Sequence, residues 1–400
     1  MFKDIDSTLE WLMNRRSKGN LFLHFKEVCE RLGNPQNDFY MIHVAGTDGK
    51  GSTVNYLSYL LMSQGYKVGT LTSPHYITHQ DRIRVNNRNI PDDYLIKFIN
   101  DNYNFIIENK LAMFEIDYLM MCQYFKDEKV DFAIVEVGMG GRLDSTNVVD
   151  NTKLSIITTI GYDHMDRLGN TLPEICFEKC GIIKNNSKVL IGHLEEDCKD
   201  VVRKVVKERN CLLYELGEIK DLGERKIGFD NREYELSSYA LYQKHNASLA
   251  LYAFKLVCED LDINVDYKKA KEYLKKAIWN NRFEIVKEKP LVILDGGHNI
   301  HGIAALAESF DQFKGSKCII FSALKKKEYK KMVEILEKHC DKLVITTFDY
   351  NGVLDLKQLS DHEIDEDYVH AIDEAIKNYD NILICGSLYF MSDVVLNYDF

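Results

Sequence analysis

Met41-Ile42-His43-Val44-Ala45-Gly46-Thr47-Asp48-Gly49-Lys50-Gly51-Ser52-Thr53 passes from an apolar, partly β-branched run into glycines, a single lysine and a pair of hydroxyls. Val54, Leu57, Leu60 and Leu61 then recur at helical spacing over residues 54–64, and Gly65 supplies a stop. The order predicts strand, glycine loop and helix. Backbone amides of such a loop, with the positive end of the helix behind them, cradle phosphate oxygens. Lys50 is placed to reach the terminal phosphates, and Ser52 or Thr53 to sit near a magnesium ion. Gly51 separates the lysine from the first hydroxyl, unlike the standard P-loop spacing, and a plain strand-to-helix turn is the competing reading. The lysine set among glycines in a βαβ context favours nucleotide binding, with Gly46, Thr47, Asp48, Gly49, Lys50, Gly51, Ser52 and Thr53 as the contact set.

Later strands are expected to end beside this loop. Residues 66–71 read as a second parallel strand running into Thr72-Ser73-Pro74-His75, and loops at the carboxyl ends of parallel strands carry ligand groups. Ser73 is thereby near the phosphates, although Ser-Pro-His on its own reads as an ordinary turn. Residues 76–89, with Asp81-Arg82-Ile83-Arg84-Val85, read as an excursion over the site. A helical region over 92–128 contains Phe114-Glu115-Ile116-Asp117. The apolar run 132–135 ends in Glu136, just before Gly138-Met139-Gly140-Gly141, where a P-loop enzyme keeps its metal-binding acid. Arg142 and Asp144 follow in a loop able to grip a substrate. Residues 154–160 form another β-branched strand, leading to Asp163-His164. His164 reads either as a metal ligand or as a merely hydrogen-bonded ring, since imidazole is an uncommon ligand for magnesium. A helix over 172–183 bears Glu178-Lys179-Cys180-Gly181, in which Lys179 reads only as a lysine near a helix end.

Four hundred residues, 45% apolar and 28% charged, suggest two or three ordinary globular domains. A net charge of −11 argues against a nucleic-acid partner, whose phosphates need a basic surface. Ten cysteines without a Cys-x-x-Cys pair argue against a disulfide scaffold or a metal cluster. Neither a signal-peptide core nor a bilayer-spanning run is present, so a cytoplasmic protein away from membranes is expected. The first 40 residues read as helices at 7–14 and up to Arg31, joined by a loop at Lys18-Gly19-Asn20, too few for a separate domain.

The remainder alternates. Strand 188–193 and helix 199–209 precede a polar, β-rich stretch, an amphipathic helix over 239–257 with His245-Asn246-Ala247, and a helix over 269–278. From Pro290, strand 291–294 ends in Asp295-Gly296-Gly297-His298-Asn299. Helix 303–313, strand 318–321, helix 329–339, strand 343–347, helix 370–378 and strand 382–385 follow, ending at Gly386-Ser387. That is a small doubly wound α/β domain. The expected division is residues 1–286 for an ATP-binding P-loop domain and 287–400 for a Rossmann-like C-terminal domain.

Gly46-Thr47-Asp48-Gly49-Lys50-Gly51-Ser52, Thr72-Ser73-Pro74-His75, Glu136-Val137-Gly138, Asp144-Ser145-Thr146-Asn147, Asp163-His164, Glu178-Lys179-Cys180-Gly181, His245-Asn246-Ala247, Arg282-Phe283-Glu284, Asp295-Gly296-Gly297-His298-Asn299 and Gly386-Ser387 occur in register. From about residue 40 to its end the chain resembles the folylpolyglutamate synthase/dihydrofolate synthase family, a branch of the Mur-ligase superfamily. The resemblance implies an ATP-dependent amide ligase that phosphorylates a pteroate or folate carboxylate and lets the amine of L-glutamate displace phosphate. It implies dihydropteroate and reduced folates as acceptors, Mg2+ held by Ser73, Glu136 and His164, and a carbamylated Lys179 supporting a second Mg2+, with K+ as a further cation. Asn246, Arg282 and Asp295 match nucleotide contacts, and Phe114, Glu115, Leu143, Asp144 and Ser145 match the acceptor pocket. His298 falls where the acyl phosphate forms, so Lys50, Lys179, Asp295 and His298 are the expected catalytic set. A monomer is expected.

Two departures stand out: Asp48 where the family has asparagine, and Asn280-Asn281 where Pro-Gly is commoner before Arg282. Two alternatives are a peptidoglycan-precursor ligase of the same superfamily and a nucleotide-binding regulator without catalysis. The first is disfavoured because the residues before Met41 cannot form its UDP-sugar domain. Intact Glu136, His164, Lys179 and His298 disfavour the second.

Overall fold

Tyr40–Ala45, the strand before the glycine loop, lies inside an eight-stranded sheet. Across that sheet the strands run Arg88–Asn89, Ile83–Val85, Val68–Leu71, Phe132–Glu136, Tyr40–Ala45, Leu154–Ile157, Lys188–Ile191 and Leu212–Glu215. From Val68–Leu71 onward neighbours are parallel. Phe132–Glu136 and Leu154–Ile157 are buried throughout, as strands covered on both faces must be. The computed structural model describes residues 1–16 and 22–400, and the expected loop at Lys18-Gly19-Asn20 lies outside them.

Three expectations here need correction. Residues 76–89 are not wholly an excursion: Ile83–Val85 returns antiparallel to Val68–Leu71 and pairs with Arg88–Asn89. Ile83 and Val85 are buried and Arg84 is not, the period-2 alternation of a strand with one face on the core. The helix after the glycine loop starts at Lys50, four residues before its apolar periodicity begins, because its first turn, Lys50 to Thr53, buries hydroxyls rather than apolar side chains. The helix Leu241–Asp260 is buried on nearly every face until its last two residues, so it is a core helix and not an amphipathic one.

Packing groups the chain into two units, Met1–Ile219 with Asn246–Lys275 and Lys220–His245 with Lys276–Phe400. The second contains a three-stranded antiparallel sheet, Lys220–Asp221, Lys226–Phe229 and Arg232–Glu235. Its six-stranded sheet runs Arg282–Glu288, Leu291–Asp295, Asn381–Cys385, Lys317–Phe321, Lys342–Ile345 and Glu363–Ile364. Alternate strand residues feed two cores. Ile293, Ile319, Phe321 and Leu383 pack with Ile303, Leu306, Phe310 and Met332 on one face, and Val292, Leu294, Ile320 and Ile384 pack with Ile372, Phe390 and Val394 on the other. Helices on both faces of a mostly parallel sheet make the doubly wound architecture. Sequence reading missed the edge strand Arg282–Glu288, whose two register shifts against Leu291–Asp295 break its alternation, and the last helix, Leu388–Asn397, capped by Ser387.

Candidate active site

The glycine loop is shaped by what crowds it. Gly46 has φ +155° and a Cβ there would collide with Thr158 Oγ1; Gly49 has φ +80° and a Cβ would collide with Asn246 Oδ1. Neither position admits another side chain without moving its neighbour, and Gly49 occupies the left-handed region. The pair Thr158-Thr159, just past the strand Leu154–Ile157, pins the loop. Thr158 Oγ1 donates to the Asp48 carbonyl at 2.5 Å, Thr159 Oγ1 to the same oxygen at 3.1 Å, and Asp48 N–H donates to Thr159 Oγ1 at 3.0 Å. Thr47 N–H donates to the Thr159 carbonyl at 2.8 Å and its hydroxyl to the Gly161 carbonyl at 3.1 Å. Asp48 thus shapes the loop through its backbone, which asparagine would supply equally. Sequence reading passed over Thr158 and Thr159; a hydroxyl pair at the end of a β-branched run beside a glycine loop was the available signal.

Two lysines meet at one carbonyl. Lys50 Nζ donates to Gly46 O at 3.1 Å and to Thr47 O at 3.0 Å, and Lys179 Nζ donates to Gly46 O at 2.8 Å. Lys179 is buried, and its pKa falls from 10.5 to about 7: burial is the main cause and the Lys50 charge the next, opposed by Asp48 and Asp163. A large fraction of Lys179 is therefore a neutral, nucleophilic amine at neutral pH.

Glu136 ends its strand buried beside them, with Oε1 3.9 Å from Lys50 Nζ and Oε2 accepting from Ser73 N–H at 3.2 Å. The structure thus brings Lys50, Lys179, Glu136 and Ser73 together at the carboxyl ends of adjacent strands. His164 adopts φ +51°, is half exposed, and has Nε2 3.7 Å from Asp163 Oδ2. Among the described residues no three of His, Cys, Asp and Glu converge as a metal cage. The Glu136 carboxylate and the Ser73 hydroxyl are hard oxygen donors, the kind that magnesium takes beside waters and phosphate oxygens.

In the loop after Gly141, Asp144 is buried and its carboxylate accepts from Met139 N–H at 2.9 Å, Thr146 N–H at 3.0 Å and Thr146 Oγ1 at 2.6 Å. Burial raises its pKa despite those donors. A Cβ on Gly138 would stand 2.8 Å from Phe114 Cε1 and 3.1 Å from Asp144 Oδ2, so Phe114 and Asp144 flank the glycine run. Leu143 is 43% exposed, and Ser145 opens the short helix Ser145–Val148. Glu115 instead closes a helix end, where its Oε2 accepts from Ala112 N–H at 2.8 Å and caps Met113–Asp127. Arg142, half exposed, pairs with Glu178 at 2.8 Å and ties this loop to the helix that carries Lys179.

The second unit holds Arg282, Asp295 and His298. Asp295 is buried and accepts from Tyr242 OH at 2.5 Å, Phe283 N–H at 2.9 Å and Gly297 N–H at 2.7 Å. Burial raises its pKa, with the Arg282 charge the leading opposing influence. His298 Nδ1 donates to Gly296 O at 3.0 Å. Asn281 has φ +55°, a left-handed turn that asparagine tolerates best after glycine, which accounts for its standing where the family's glycine is common.

Comparison with known proteins gives the family. The Mur ligase middle domain matches residues 44–254, and the Mur ligase, glutamate ligase domain, matches 281–388. Fold and site together define a Mur-type ligase. A dihydrofolate synthase/folylpolyglutamate synthase of Bacillus subtilis is 35% identical, covering 92% of this chain and 93% of the relative, and that of Escherichia coli is 28% identical over 92% and 89%. Among solved structures, E. coli FolC in complex with DHPP and ADP superposes with TM-score 0.86 at 27% identity, over 98% of this chain and 97% of that one. The apo form of L. casei FPGS gives TM-score 0.86 at 25% identity, covering 98% of each chain. The chain belongs to the dihydrofolate synthase/folylpolyglutamate synthase family. No helix among the described residues is long and apolar enough to cross a membrane.

Proposed function

We infer that this protein is an ATP-dependent carboxylate–amine ligase that adds L-glutamate to dihydropteroate, to reduced folates, or to both. The observation that carries the reading is the meeting of Lys50 and Lys179 at the Gly46 carbonyl beside Glu136, in a chain of this family. A carboxylate resists attack by an amine because its leaving group would be oxide. Transfer of the γ-phosphoryl group of ATP to one acceptor oxygen gives an acyl phosphate and ADP. The glutamate amine then attacks the acyl carbon, loses a proton, and expels phosphate as the amide forms.

The chain's residues supply positioning and charge. The amides of residues 46–53 cradle the phosphates, and Lys50, released from its own loop's carbonyls, neutralises charge on the transferring group. Glu136 and Ser73, with His164, are assigned to magnesium, which when bound offsets phosphate charge. Asn246, Arg282 and Asp295 are assigned to the nucleotide and His298 to the acyl phosphate, on motif correspondence. Phe114, Leu143, Asp144 and Ser145 are assigned to the acceptor. Functionally we divide the chain into an ATP-binding part, 1–286, and a glutamate-ligase part, 287–400.

Lys179 as a partly neutral amine meets the requirement for carbamylation, in which its nitrogen attacks carbon dioxide and sheds a proton. Labelled bicarbonate should give a carbamate carbon signal in the wild type and none in Lys179→Met. For the activity itself, ADP release should require both L-glutamate and an acceptor. Release independent of acceptor, or none with any acceptor despite ATP binding, counts against the reading.

A further inference from the structure

His43 stands within Tyr40–Ala45, the strand that delivers the phosphate-binding loop, and is completely buried. Burial holds its ring neutral, with the pKa down at about 3. Nε2 lies 2.8 Å from Thr146 Oγ1, which lies 2.6 Å from Asp144 Oδ1. Hydrogens can run along this chain in two directions. With Asp144 ionised, the Thr146 hydroxyl donates to the carboxylate and receives from His43, whose proton is then on Nε2. In the reverse direction a protonated Asp144 donates to Thr146, Thr146 donates to Nε2, and the ring proton sits on Nδ1. Nδ1 is buried and has no hydrogen-bond partner among the described residues. A buried N–H without an acceptor is rarer and costlier than an idle lone pair, so the first direction prevails. The Thr146 and Met139 N–H groups also donate to the Asp144 carboxylate and oppose the burial that raises its pKa.

We propose that His43 is a positioning residue for the acceptor: by donating through Nε2 to Thr146 it fixes the direction of the hydrogen-bond chain and holds Asp144 as an anion that accepts from the N–H edge of a flat heterocycle. This rests on the reading of Asp144 as an acceptor contact. The strand that carries the nucleotide loop thereby also sets the charge state of the loop that meets the other substrate.

The test compares KM for the acceptor with KM for ATP, alongside thermal melting, in His43→Met, His43→Gln, Thr146→Val and Asp144→Asn. His43→Met removes the donor at similar volume, and the loss of a hydrogen bond to a charge-bearing chain predicts an acceptor KM raised about tenfold with ATP KM within about twofold. His43→Gln, whose amide can donate to the same hydroxyl, should restore most of the loss, and Thr146→Val should behave as His43→Met. A merely structural role would lower melting temperature in both His43 variants without separating the two KM values, and that result overturns the proposal. If Asp144→Asn raises acceptor KM while His43→Met and Thr146→Val do not, the role of His43 is wrong and the acceptor reading stands. If Asp144→Asn changes nothing, both fall. Should His43→Met fail to fold, Thr146→Val against Thr146→Ser makes the same comparison, with serine expected to retain acceptor affinity.

Discussion

Lys179 is a base held where its proton is costly. Its pKa is lowered from 10.5 in the unfolded chain to about 7 in the native state. Between those values the unfolded state binds more protons than the native one, so its contribution makes stability rise with pH across that window; the full cost of the buried ammonium is felt below about pH 7. Lys179→Met should therefore melt higher relative to wild type below pH 7 than at alkaline pH, in buffer free of carbon dioxide. A constant difference between the two melting curves would mean that the amine is not desolvated in this way. Lys50→Ala should abolish glutamate-dependent ADP release, since its ammonium is the charge that the loop itself holds, on Gly46 O and Thr47 O. Stopped-flow or coupled assays would detect residual turnover. In the sequence, Lys50 and Glu136 were legible because a glycine loop and an apolar run ending in an acid are local patterns. Lys179 was singled out by the family resemblance alone, because its burial and its contact with a carbonyl 133 positions away are nothing that spacing reveals.

The P-loop and the strand Leu154–Ile157 act as one element through Thr158. Gly46→Ala places a methyl group against Thr158 Oγ1 and should cost about 1–3 kcal/mol as overpacking. Adding Thr158→Ala should recover part of that loss, giving a coupling of about 0.5–3 kcal/mol in a double-mutant cycle followed by denaturant unfolding. Additive effects would refute the contact. Gly49→Ala is different, because φ +80° is strained for any L side chain and the methyl also meets Asn246. It should weaken ADP binding, read by calorimetry, and no change at Asn246 should fully rescue it. Element-scale reading of the sequence succeeded for buried parallel strands, where an apolar run of fixed length is itself the signal. It failed for Arg282–Glu288, an edge strand with two register shifts, and for the first turn of the helix at Lys50, whose residues Lys50 to Thr53 carry no apolar side chain.

At the scale of the whole chain, the second unit takes in segments that a linear boundary at residue 287 leaves behind, namely Lys220–His245 and most of the edge strand Arg282–Glu288. A fragment of residues 287–400 would expose the flank of Leu291–Asp295 to which that strand pairs, and an open edge invites association. The fragment 276–400 should remain more soluble and melt more cooperatively; equal behaviour by light scattering and calorimetry would show that the edge strand is dispensable. The alternation of strands and helices was plain in the sequence, but the recruitment of residues 220–245 to a distant part of the chain was not, because nothing local in a polar β-rich stretch says what it packs against. The central claim is tested most directly by ADP release from ATP and Mg2+ with L-glutamate, comparing dihydropteroate, tetrahydrofolate and no acceptor. Release that needs glutamate and at least one acceptor, with formation of the glutamyl amide, is the expected result. ATP binding with no acceptor-dependent release would contradict it.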